Sequence, residues 1–141
     1  TEVRASIDAL RQRYPQHRLT LVFQPHRYAR LRTYLDDFAT ELRRADRIRV
    51  TGVFAAWTAR EDIDSEDLAE KIGPQATCDR APWPDLARDL LDKVQAPEVI
   101  AILGAGNVED LIPFLMTPTK VHPLVSGVRS GVSKEEPELE S

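Results

Sequence analysis

A chain of 141 residues with 42% hydrophobic and 30% charged side chains fits one globular domain. It does not read as a collagen-like, disulfide-rich or wholly disordered polymer. The formal charge of −4 is unevenly spread, for residues 1–49 hold 11 arginines against six acids while residues 50–141 are strongly acidic. The longest apolar runs, such as Val99-Ile100-Ala101-Ile102-Leu103, fall far short of the roughly 20 residues of a membrane helix. No secretory leader is read at the start, and the single Cys78 allows no internal disulfide. A cytoplasmic setting without a membrane partner is expected. The few aromatics do not interleave with the arginines, so nucleic acid is not an expected partner either.

In chain order, Val3, Ile7, Leu10 and Tyr14 mark one face of a first helix, with Thr1 as a candidate cap and Pro15 as its end. Leu19 to Phe23 reads as a buried strand. Leu31, Leu35, Phe38 and Leu42 predict a second helix with Asp36 and Asp37 outward, and Ile48 to Phe54 the next strand. Leu68, Ala69 and Ile72 predict a short helix capped by Ser65 and stopped at Gly73-Pro74. Ala76 to Cys78 reads as a minor strand, Leu86 to Val94 as a helix entered through Pro84, and Val99 to Leu103 as the clearest strand. Gly104-Ala105-Gly106-Asn107 then leads into a helix carrying Val108, Leu111, Ile112 and Leu115. Strands that are apolar throughout are buried on both faces, so the expected fold is α/β: a Rossmann-like three-layer sandwich with a mainly parallel sheet. Residues 1–116 form the domain in this reading. Residues 117–141 read as a tail, partly or wholly disordered, in which Val121 to Val125 could add an edge strand.

In such a sheet, ligands collect where strands end and helices begin. Two segments stand there. Phe23-Gln24-Pro25-His26-Arg27-Tyr28-Ala29-Arg30 follows the first strand, and Arg27 and Arg30 could fork onto a carboxylate or phosphate beside a helix start, with His26 adding a hydrogen bond. The same arginines could equally be surface cations paired with Asp36, Asp37 or Glu41. Gly104-Ala105-Gly106-Asn107 could admit a ligand to bare backbone, with the following amides binding an anion, or could serve turn geometry alone. A dinucleotide fingerprint would need a further glycine, where Glu109 stands. His17, His26 and His122 lack metal-ligand spacing. Cys78 reads as a partly buried thiol, Trp57 and Trp83 as loop residues, and Glu61, Asp62, Asp64, Glu66 and Asp67 as a solvated acidic loop. The chain contains no Gly-x-x-x-x-Gly-Lys-Ser/Thr phosphate loop.

Phe23 to Arg30, followed by Leu35-Asp36-Asp37-Phe38, resembles the C-terminal domain of the Mur ligases. Thr1-Glu2-Val3, Val53-Phe54-Ala55-Ala56 and Gly104-Ala105-Gly106-Asn107-Val108 agree in order, so the likeness covers about residues 1–116. The resemblance is nearest to the branch that joins L-alanine to UDP-N-acetylmuramate. It implies a peptidoglycan-synthesis enzyme of three domains that uses ATP and Mg2+ to form an acyl-phosphate. This terminal domain would present the amino acid, and the ATP-binding and UDP-sugar domains would be its partners. It also implies that His26, Arg27 and Arg30 hold alanine, with Gly104, Ala105, Gly106 and Asn107 bordering the same cleft. No catalytic residue and no metal ligand is expected here, ATP and Mg2+ being bound mainly by the central domain. An excised terminal domain, inactive alone, is the expected state. A stand-alone small-anion module and the related ligase that recycles murein tripeptides are the alternatives.

Overall fold

Val3, Ile7 and Leu10 lie on one buried stripe of the first helix, α1 (Glu2–Arg13), and that stripe faces the sheet. The structure, a computed structural model, describes residues 2–116 and 124–126. Thr1, the candidate cap, lies outside the described residues, as do His122 and the tail apart from one strand. The strands are β1 (Arg18–Gln24), β2 (Arg47–Val50), β3 (Ala76–Cys78), β4 (Glu98–Gly104) and β5 (Leu124–Ser126). They form one sheet in the order β3-β2-β1-β4-β5, and every pairing is parallel. β5 falls on the C-terminal part of the expected Val121–Val125 edge strand, and the rest of that span lies outside the described residues.

Continuous burial along β1 and β4 has the cause expected from their composition: each face of the sheet carries its own core. On one side Leu19, Leu21, Phe23, Val99, Ala101 and Leu103 pack against α1 and two helices, α3 (Leu35–Leu42) and α4 (Ser65–Ile72). On the other, Val22, Ile100 and Ile102 pack against α5 (Trp83–Asp92) and α6 (Ile112–Leu115). The α/β three-layer architecture is therefore as read. Among the described residues no helix is long and apolar enough to cross a membrane.

Several local expectations are corrected. The single helix through Leu31 and Leu42 is two, α2 (Tyr28–Thr33) and α3, broken at Tyr34, whose φ of −112° leaves the helical range. Both keep the predicted apolar face, because the spacing stays in phase across the break. β2 stops at Val50, and Phe54 rejoins the sheet only through an isolated bridge to His26. The cap of α4 is Asp64, not Ser65: Asp64 and Asp67 form a capping box, and the Ser65 hydroxyl instead donates to the buried Thr51 carbonyl at 2.5 Å. Trp83 is the first residue of α5, packed against the core, rather than a loop residue. The helix after Asn107 is a 3-10 turn over Val108–Leu111 that passes into the four residues of α6.

Candidate functional site

The chain leaves β1 towards the face that carries α2 and α3, and leaves neighbouring β4 towards the face that carries α6. Two adjacent strands whose connections diverge in this way open a crevice at their carboxyl ends, the topological switch point of a doubly wound sheet. Both segments marked by the sequence stand at this crevice.

On one side of the ridge His26, Arg30, Gly104 and Ala105 line a cleft together with Glu2, Ser6 and Gln24, over an apolar floor of Val3, Phe23, Phe38 and Leu103. Arg27 is exposed and lies outside that wall, and Asn107 lines a second cleft on the α5 side with Phe54, Trp83 and Phe114. Gly106 sits between the two. A Cβ there would lie 2.4 Å from Phe54 Cγ and 2.5 Å from Gln24 Oε1, so the position excludes any side chain. Gly104 carries φ +155° and is closed in by Val108 and Gln24. The two glycines are thus needed for different reasons, left-handed backbone at 104 and close approach at 106.

The arginines are not spent on internal ion pairs. Among the described residues neither Arg27 nor Arg30 has a carboxylate within salt-bridge distance, and Arg30 lies over the Tyr34 ring, its Cζ 5.3 Å from the centroid. Of the acids that might have paired with them, Asp36 meets Lys71 at 3.1 Å and Glu41 meets Arg4 at 3.2 Å. Burial, then the charges of Arg27 and Arg30, hold His26 below its ordinary value of 6.5, so at neutral pH it carries no charge. The site therefore offers one neutral ring and two cations beside the Glu2 carboxylate, and the guanidinium groups suit a small anion.

Two residues that sequence reasoning passed over organise these groups. Gln24, 5% exposed, donates from Nε2 to Asn107 Oδ1 (2.7 Å) and accepts at Oε1 from the Val108 N–H (3.1 Å). The amide expected to meet an anion after the glycine turn is thereby already satisfied. Its signal was a polar residue closing an otherwise apolar strand. Phe54 stacks on His26, ring centroids 5.6 Å apart and planes 14° apart. Its backbone flanks the motif, the Arg27 N–H donating to the Phe54 carbonyl and the Phe54 N–H to the Pro25 carbonyl, each at 2.8 Å.

Other candidates do not converge here. Burial pushes the Cys78 thiol up to about 11, away from the thiolate a nucleophile requires. Three of the five acids of the acidic stretch pair with arginines, Glu61 with Arg32 at 2.9 Å, Asp64 with Arg60 and Arg80, and Glu66 with Arg80. Among the described residues no group of three His, Cys, Asp or Glu side chains could hold a metal ion.

Fold and crevice together define a Rossmann-like α/β domain with a cationic rim at its switch point. The family described as Mur ligase, glutamate ligase domain, matches residues 1–106, and the chain belongs to that family. Among curated relatives, it is 39% identical over 114 residues to the UDP-N-acetylmuramate–L-alanine ligase of Limosilactobacillus reuteri, covering 77% of this chain and 24% of that protein. The ligase of the same name from Bifidobacterium adolescentis is 30% identical over 132 residues, covering 86% of this chain and 25% of that protein. The bifunctional enzyme MurC/Ddl of Chlamydia trachomatis is 33% identical over 126 residues, again 86% of this chain but 16% of that protein. The chain thus spans a quarter or less of the length of these relatives.

Proposed function

We propose that this chain is the terminal, amino-acid-presenting domain of a cytoplasmic peptidoglycan-synthesis ligase that joins L-alanine to UDP-N-acetylmuramate with ATP through an acyl-phosphate. Residues 1–116 constitute the domain and residues 117–141 a tail. The observation that carries this reading is the cleft shared by His26, Arg30, Gly104 and Ala105, whose Arg30 guanidinium has no carboxylate of the described residues within salt-bridge distance. Family membership and the identity to L-alanine ligases support the choice of substrate.

The chemistry follows from the groups present. Arg30 anchors the alanine carboxylate, a charge-assisted contact of about 1.5–3 kcal/mol, and fixes the direction of the amine. Neutral His26 hydrogen-bonds without adding charge, and Arg27, at the rim, contributes field and balances negative charge that develops at the reacting carbonyl. In this reading ATP and Mg2+ are held mainly by the partner central domain. On this reading the segment alone is inactive.

The test uses the ligase that carries this domain. Arg30→Ala is expected to raise the KM for L-alanine at least tenfold while the KM for ATP stays within twofold, because only the amino-acid anchor is lost. Equal losses on both substrates, or none on alanine, would discard the assignment.

A further inference from the structure

We infer that Phe54 is the positioning residue of this site: its main chain pins the His26–Arg27 corner, its ring carries His26, and its Cβ and ring close on Gly106, so the exits of β1, β2 and β4 hold one another. Each contact is local and independent. The two backbone hydrogen bonds of Phe54, to Pro25 and from Arg27, extend the sheet past the end of β2 by one bridge. They bracket His26 and end on the residue with the least comfortable backbone of the motif, Arg27, at φ 71° and ψ 135°, a conformation strained for any residue but glycine. Such strain persists only when surrounding contacts impose it, and Phe54 supplies the hydrogen bond on the Arg27 amide.

The ring acts on a different neighbour. At 5.6 Å and nearly parallel, it lies alongside the His26 imidazole and fixes the plane in which that ring meets the cleft. On its other flank it meets Gly106, where no Cβ is tolerated, and Gln24 backs the same glycine from below. Gln24 in turn holds Asn107 and Val108. Three strand exits, of which only those of β1 and β2 share a bridge at this level, are thus clasped by one residue. The clasp sets where His26 stands relative to the Gly104–Ala105 wall. Phe54 is outside the cleft of Arg30, so it acts through His26 and the glycine turn rather than by touching a ligand there.

The inference extends the proposed function, and only its alanine arm rests on that reading. In the 141-residue chain, the His26 imidazole protons are followed by NMR, assigned by their loss in His26→Gln. In the native chain they are expected to show a ring-current displacement; its absence overturns the stack without recourse to any variant. In Phe54→Leu the displacement disappears and the His26 titration moves up towards the ordinary histidine value, because the covering ring is gone while Arg27, Arg30 and Glu2 remain; His17 serves as the internal control. Phe54→Tyr, which keeps the ring, restores both signals. A His26 titration identical in Phe54→Leu and the native chain overturns the inference. In the ligase, Phe54→Leu is expected to raise the KM for L-alanine about tenfold with kcat within twofold, and Phe54→Tyr to rescue it. An alanine KM unmoved by Phe54→Leu despite the His26 change would leave the clasp standing and overturn the alanine reading of the cleft.

Discussion

Gly104 and Gly106 stand two apart in one turn and fail differently when given a side chain. At Gly104 the added Cβ meets Val108 Cγ1 at 2.9 Å and Gln24 Cβ at 3.0 Å, on a backbone already at φ +155°. Gly104→Ala is therefore expected to cost about 2–4 kcal/mol, read as a lower urea midpoint with unchanged slope. The glycines were legible in the sequence as a strand-to-helix turn, but the separate demands on them were not. Close approach depends on Phe54, about fifty residues away in the chain, and nothing local announces it. The same holds for Gln24. A glutamine after Leu21-Val22-Phe23 signals that a buried polar group needs partners, but which partners only the β1–β4 register decides. His26 and Arg30 drew notice in the sequence because polar and cationic groups beside a strand exit have a physical meaning of their own.

At the scale of elements, apolar spacing located the described helices and strands, whereas their ends depended on competition between neighbouring residues. Before α4, Asp64 and Ser65 could both cap. Asp64 prevails because Asp67 returns its bond to the Asp64 N–H, and because Ser65, fully buried, has the Thr51 carbonyl to satisfy. Asp64→Ala is expected to lower stability by about 1 kcal/mol in thermal unfolding followed by circular dichroism, and Asp64→Asn by less, since the amide keeps a capping oxygen. The break at Tyr34 had a visible trace as well. Asp36 and Asp37 fill the first turn of α3, where carboxylates favour a new helix start over the continuation of an old one. A reading by apolar period alone passes over that sign, because the break leaves the period intact.

For the molecule as a whole, acid acts in two stages. A histidine held below 6.5 takes up its proton later in the folded state than in the unfolded chain, so stability falls as pH drops below 6.5 and levels once folded His26 is also charged. The carboxyls held low, Asp89 by Lys93 and Arg49 and Glu66 by its own backbone amide and Arg80, contribute fully above the ordinary carboxylate range and lose that contribution as pH falls through and below about 4. Urea midpoints measured from pH 7.5 downward should therefore descend in two steps, and His26→Gln should remove the first step only. A single step near pH 4 in the native chain would contradict the position of His26 beneath Phe54.

β1 lies between β2 and β4, and its partner on one side comes from the far end of the domain, Leu19 against Val99 and Phe23 against Leu103. Chain growth on a ribosome therefore presents the central strand with one flank bare until some eighty further residues have emerged, and all-parallel pairing offers no hairpin to shield it sooner. Leu21 and Phe23 are the apolar groups left waiting in that interval. A nascent chain of this topology thus assembles its crevice only when β4 finally docks.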